Sequence, residues 1–219
     1  ASAFHFRQAL STDCRCIVVT GAGDRAFTAG ADISGDLSAS EETARMVNRA
    51  LLKTSAYPKP IIAAVNGVCA GGGVELLLST DIRISAPHAR YGLPEVKWGI
   101  YPFGGATAKL VAQIGYVHAM DLLLGGQLVD ADEARRIALI NRIVPADRLL
   151  DEALANAKRI AANSPVAVQA VKRHVSETIA LAVNAREAAE QAAGDRVRES
   201  ADFAEGVAAF REKRTPRYD

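Results

Sequence analysis

The chain has little of several things that would commit it to particular functions. Of its 219 residues only three are cysteine, and Cys14, Cys16 and Cys69 are too few and too unevenly placed for a disulfide framework. Cys14-Arg15-Cys16 has the spacing of neither a zinc knuckle nor a redox pair. Its 26 Lys and Arg against 25 Asp and Glu leave a formal charge of +1, so no global field draws in nucleic acid or an anionic membrane. Any anionic ligand must therefore be held locally. Aromatic residues make up 5% of the chain and are not interleaved with basic ones as on a nucleic-acid platform. No apolar run reaches transmembrane length, and the opening Ala-Ser-Ala-Phe-His-Phe-Arg has the character of neither a signal nor a transit peptide. His5, His88, His118 and His174 are scattered without ligand spacing, so no metal is expected. Together these absences point to a reducing cytoplasm and to a partner that is neither nucleic acid nor membrane.

What is present is enough apolar residue, 49% of the chain, to bury a sizeable core. The organising stretch is residues 59–81, which reads as one strand, one turn and one helix. Residues 61–65 are a short apolar, partly β-branched run closed by Asn66-Gly67. Gly71, Gly72 and Gly73 then stand where a helix carrying Glu75, Leu76, Leu77 and Leu78 should start. The first N–H groups of a helix lack intrahelical partners and lie at its positive end, so such a turn can hold an oxygen that gains negative charge. By itself a glycine triplet before a helix is commonly a packing turn, and a glutamate in the first turn commonly compensates the helix dipole at the surface. Two further stretches alter the balance. Residues 25–33 form a loop of small residues around Gly30 with backbone N–H groups open to a ligand, and residues 90–105 form a second loop system, dense in glycine and proline, that carries Glu95.

Elsewhere the first ten residues read as the tail of an amphipathic helix, and residues 16–20 and 82–85 as short strands. Ser38 with Glu41 forms a capping box for a helix through about Ser55, which Pro58 and Pro60 prevent from continuing. Helical patterns occupy residues 106–114 and 118–124, and Asp130 with Glu133 is a second capping box, before a helix over 134–138. Beyond a connector at 143–145 lie Ala-rich amphipathic segments over 149–162, 165–181, 182–199 and 201–213. Strands in the first half and helices in the second predict an α/β core over residues 1–148 and a C-terminal helical oligomerisation region over 149–219.

Phe27-Thr28-Ala29-Gly30-Ala31-Asp32-Ile33, the 59–81 stretch, and Leu93-Pro94-Glu95 through Gly105 together resemble the signature blocks of the enoyl-CoA hydratase/isomerase (crotonase) family, in the family's order. The similarity runs on to the closing Glu205-Gly206-Val207-Ala208-Ala209-Phe210-Arg211-Glu212-Lys213-Arg214 and so spans nearly the whole chain. It implies an α/β, crotonase-like (ClpP/crotonase) spiral of ββα units whose C-terminal helices pack in homotrimers, often doubled to hexamers. The family's opening β-hairpin and Asn-Arg-Pro-like segment have no counterpart here, and a truncated chain is the expectation. The resemblance further implies an acyl-CoA thioester substrate and no separate cofactor, coenzyme A arriving as part of the substrate. The N–H groups of Ala29 and Gly72 would form the oxyanion hole. Glu75 would be the base that activates water and Glu95 the acid that protonates the α-carbon; their spacing of 20 residues is that of hydratases. Ala31, Asp32 and Ile33 would border the adenine and pantetheine, with Gly71 and Pro94 on the same ligand surface, and Lys213 would meet a CoA phosphate, in the neighbouring subunit or its own. Possession of both glutamates favours hydration of a trans-2-enoyl-CoA to a 3-hydroxyacyl-CoA, as in fatty acid β-oxidation. Carnitinyl-CoA dehydratase, enoyl-CoA isomerase and a non-catalytic CoA- or RNA-binding scaffold are the alternatives. Phe103 stands where many hydratases have glycine, and is expected to alter the water site or shorten the acyl pocket.

Overall fold

The computed structural model describes residues 13–30, 45, 48–54 and 57–218. The opening residues, the Ser38/Glu41 capping box and Ala31, Asp32 and Ile33 lie outside the described residues. The first half of the chain alternates between two sheets. Strands β1 (Ile17–Thr20), β2 (Ala26–Thr28), β3 (Ile61–Val65) and β4 (Val68–Ala70) precede a short helix, α1 (Gly72–Leu77), and β5 (Ile82–Ser85) and β6 (Arg90–Gly92) follow it. A 3-10 turn over Pro94–Trp98 leads to helices α2 (Ala106–Ile114) and α3 (Tyr116–Gly125), then β7 (Val129–Asp130), α4 (Ala131–Arg136) and β8 (Arg142–Ile143). One sheet has the order β1-β3-β5-β8 and is parallel throughout. The other has the order β2-β4-β6-β7 and is parallel except for the β6–β7 pair. Each pass of the chain thus adds a strand to each sheet, which makes the spiral of ββα units.

β3 explains why this stretch organises the molecule. All five of its residues are buried, as a central strand covered on both faces requires. Its alternation sends Ile61, Ala63 and Val65 into a cluster with Val74, Leu77, Tyr91 and Leu110, and Ile62 and Ala64 to the opposite face with Ile84. That second face is closed by Leu149 and Ala153 of α5 (Leu149–Ala161), so the first helix of the C-terminal region packs directly on the sheet.

Three expectations need correction. Residues 59–81 contain two strands, because β4 follows β3 after Asn66-Gly67. The loop over 25–33 contains β2, and the loop over 90–105 opens with β6. Strands of three residues are too short to establish a period of two, and they exist here because parallel neighbours take up their backbone groups. The segments over 165–181 and 182–199 are one continuous 34-residue helix, α6 (Pro165–Arg198), since no proline or glycine interrupts residues 178–186. α6 is pinned near its start by Lys172, whose Nζ lies 2.8 Å from the Asp81 carboxylate and donates to the Lys59 carbonyl at 2.6 Å. Asp81 in turn accepts from the Ile61 N–H that begins β3. The Asp130 cap of α4 forms, accepting from Glu133 N–H at 2.9 Å, but the Glu133 carboxylate turns to Arg136, so the reciprocal half of the box is not made. α7 (Ala201–Glu212) stacks Phe210 edge-on against Trp98 of the 3-10 turn, ring centroids 5.1 Å apart. Among the described residues no helix is long and apolar enough to cross a membrane.

Candidate active site

The site begins with the turn between β3 and β4. Asn66 is more than a turn residue: its side-chain oxygen accepts from Gly21 N–H at 2.9 Å, and its amide donates to the carbonyls of Gly23 at 2.7 Å and Ala26 at 3.3 Å. This clamp sets the path of the chain into β2 and the Ala29-Gly30 loop. Gly30 is pressed on the start of α1; a Cβ there would stand 2.8 Å from the Gly72 nitrogen. A side chain at Gly73 would overlap the Thr28 carbonyl. The loop bearing Ala29 and the helix start bearing Gly72 are therefore in contact, and glycine is what permits it.

At the helix start Gly71 has φ 57°, a left-handed conformation that costs glycine little, and its carbonyl accepts from both Val74 and Glu75 N–H. Among the described residues no acceptor is found for the N–H of Gly72 or of Ala29. Two donors on touching loops, one of them at the positive end of a helix, can together hold a developing oxyanion.

α1 also delivers Glu75. The side chain is buried, with Oε1 accepting from Gly104 N–H and, at 3.4 Å, from Ala106 N–H. Burial pushes its carboxyl up to about 8, the charge of Glu95 adds to the rise, and the two N–H donors work against it. A side chain at Gly104 would overlap the Glu75 carboxylate and Leu51, so the turn can approach this closely only as glycine.

Glu95 arrives on the first turn of the 3-10 segment, after Pro94 at its N-terminus. Burial raises its carboxyl to about 7, opposed by its own backbone N–H. Oε2 is buried and has no hydrogen-bond partner among the described residues, and Oε1 lies 3.1 Å from where a Cβ on Gly71 would be. Gly71 thus faces Glu95. The two carboxyls, the Gly71-Gly72 turn and the Ala29 loop form one constellation, in which both acids titrate nearer neutrality than ordinary carboxylates and one buried oxygen has no partner among the described residues.

Two of the sequence-derived residues have other surroundings. Lys213 ends α7 in a left-handed conformation and lines a surface groove with Lys97, Trp98 and Phe210, apart from Glu75 and Gly72. Phe103 turns onto the long helix: its ring occupies the space a side chain at Gly194 would fill, the Arg198 guanidinium lies over it at 4.8 Å, and Tyr101 meets it edge-on at 5.8 Å. The sequence reading missed the Gly104 and Ala106 donors and the Asn66 clamp. Gly104-Gly105 is the one signal that a close approach was needed there.

The family model for enoyl-CoA hydratase/isomerase matches residues 4–219. The chain is 41% identical over 213 residues to the enoyl-CoA hydratase EchA19 of Mycobacterium tuberculosis, covering 94% of this chain and 80% of that protein. The crystal structure of an enoyl-CoA hydratase/isomerase from Pseudoalteromonas atlantica superimposes with a TM-score of 0.87 at 31% identity, over 99% of this chain and 87% of the other. A carnitinyl-CoA hydratase from Mycobacterium avium gives 0.85 at 35% identity, over 98% and 85%. With the two glutamates and the paired glycine turns in the arrangement described above, this chain belongs to the enoyl-CoA hydratase/isomerase family.

Proposed function

We propose that the protein is an enoyl-CoA hydratase, which adds water reversibly and syn across the double bond of a trans-2-enoyl-CoA to give a 3-hydroxyacyl-CoA. The observation that carries this reading is that two carboxyls, Glu75, buried on α1, and Glu95, whose Oε2 is buried without a partner among the described residues, stand at the Gly71-Gly72 turn that starts α1. As hydroxide adds at the β-carbon, charge moves through the conjugated system to the thioester oxygen. The N–H groups of Ala29 and Gly72 receive it, and a donor of this type is worth on the order of 3 kcal/mol of barrier. Glu75 takes the proton of the attacking water, and Glu95 gives its proton to the α-carbon. The reverse reaction exchanges the roles.

This chemistry needs one proton shared between two acids. With both carboxyls raised, to about 8 and about 7, the pair titrates near neutrality, and its two pH limbs belong to the pair. Hydration uses the form with the proton on Glu95, and dehydration the form with it on Glu75. Coenzyme A comes with the substrate, and Lys213 reaches a phosphate. The working assembly is a trimer or a doubled trimer, in the cytoplasm.

The test is a spectrophotometric screen of short, medium, long and branched trans-2-enoyl-CoAs without added metal or redox cofactor. Loss of the conjugated absorbance in at least one is expected; none in any would end the hydratase reading. A second reading, carnitinyl-CoA dehydratase, is favoured by the similarity, with a TM-score of 0.86 at 35% identity, to a carnitinyl-CoA dehydratase from M. avium. Appearance of conjugated absorbance from carnitinyl-CoA, faster than any enoyl-CoA is hydrated, would select it.

A further inference from the structure

Next to the turn that holds Glu75 lies a buried ionic cluster that the reaction described above does not use. Lys53 and Glu190 come from distant parts of the chain and are 4% and 6% exposed. The Lys53 ammonium lies 2.7 Å from Glu190 Oε2 and 2.8 Å from Glu187 Oε2, and the Thr107 hydroxyl donates to Glu190 Oε1 at 2.6 Å. Lys109, also buried, donates to the Leu52 carbonyl at 2.9 Å and to Ser79 Oγ at 2.8 Å. This is a large concentration of charge for the interior of a domain. Replacing a buried ion pair with apolar residues is often neutral or stabilising, so stability alone is a weak reason for its presence.

Its position supplies a stronger reason. Residues 104–106 form the turn whose N–H groups hold the Glu75 carboxylate. Thr107 is the next residue, and its side chain is fixed by Glu190. Gly105, at φ 88°, has the Lys53 stem against its other side: a Cβ there would be 3.3 Å from Lys53 Cγ. The turn is clasped between the carboxylate it serves and the ion pair behind it. We propose, resting on the hydratase reading of the site, that the Lys53–Glu190 pair closed by Thr107 is a positioning device for Glu75, holding the 104–106 donors in place and setting the field in which Glu75 exchanges its proton.

The charged groups facing Glu75 are Glu95 from the 3-10 turn, Glu190 from α6 and Lys109 from α2, with Lys53 neutralising Glu190. The signs follow from Coulomb's law. Glu190 opposes ionisation of Glu75, so removing its charge lets Glu75 ionise at lower pH. Removing Lys53 leaves Glu190 uncompensated, so Glu75 ionises at higher pH. A mere brace would shift nothing, or shift both variants in the same direction.

The experiment is a carboxyl carbon NMR titration of the full chain carrying labelled glutamate, in the wild type, Glu190→Gln and Lys53→Met, with Glu75→Gln identifying the resonance. It requires no substrate, so a failure of the hydratase reading leaves it intact. The midpoint of Glu75 is expected to move down in Glu190→Gln and up in Lys53→Met, each by about half a pH unit or more. The pH limbs of the hydration rate, which belong to the pair, should move in the same directions. Should Lys53→Met not fold, Thr107→Val against Thr107→Ser tests the clasp. Loss of the hydroxyl should lower kcat roughly tenfold with KM unchanged, and serine should restore it. An unmoved Glu75 midpoint in Glu190→Gln, or a Thr107→Val enzyme with wild-type kcat, overturns the proposal.

Discussion

Glu75 is a residue that the fold holds in an uncomfortable state. Burial and the neighbouring Glu95 raise its carboxyl to about 8, so the folded protein keeps a proton that the unfolded chain releases near 4.5. A raised folded value means that the contribution to stability is fully present below the unfolded value and is lost as pH rises towards about 8. Glu75→Gln removes this titration and leaves an amide oxygen to accept from Gly104. The melting temperature of the variant, relative to wild type, should therefore climb between about pH 5 and 8, by roughly 2–4 °C for each kcal/mol, and level off above. A difference that stays flat over that range would mean that Glu75 ionises as an ordinary surface carboxylate. The same feature that costs stability keeps an acid able to exchange protons at neutral pH, a trade common at active sites.

At the scale of elements, the site is built by close approaches between short pieces of backbone. The 104–106 turn must come within hydrogen-bonding distance of Glu75, and Gly104 leaves no room for a Cβ. Gly104→Ala should push the carboxylate off its two donors, lowering kcat and destabilising the fold by about 1–3 kcal/mol. Unchanged turnover with a wild-type melting curve would show that the turn has slack. Such approaches are only partly legible in sequence. The buried run at residues 61–65 and the glycine triplet before Glu75 were readable because one is a run of apolar residues and the other a local signal at a helix start. β2 and β4 were not, because three residues carry no periodicity. The unity of α6 is not legible, because a weak amphipathic pattern without a stop signal does not reveal whether a helix continues. Glu95 was singled out by its loop and by resemblance, whereas the Lys53–Glu190 clasp joins distant segments and leaves no local trace. The sequence does not show where the Phe103 ring goes, because Gly194, far along the chain, provides the space that takes it.

At the scale of the molecule, α6 buries Val183, Glu190 and Gly194 and leaves Val166, Val171, Val175 and Leu181 exposed. Scattered exposed valines are ordinary, but a 34-residue helix with so much uncovered apolar surface fits an assembly in which subunits cover one another. Light scattering at micromolar concentration should give the mass of a trimer or a hexamer, and a monomer would refute that assembly. In the hydratase reading an α/β spiral brings two carboxyls and two N–H donors to one site, where the carboxyls move the protons. The most direct test of that reading is turnover of a trans-2-enoyl-CoA measured beside acyl-CoA affinity in Glu75→Gln and Glu95→Gln. Each variant should bind the ligand as the wild type does and lose roughly 10²-fold or more in kcat, because an amide cannot exchange a proton as a carboxyl does. Near-normal hydration in either variant would remove that glutamate from the mechanism, and near-normal hydration in both would place the chemistry somewhere else in the molecule.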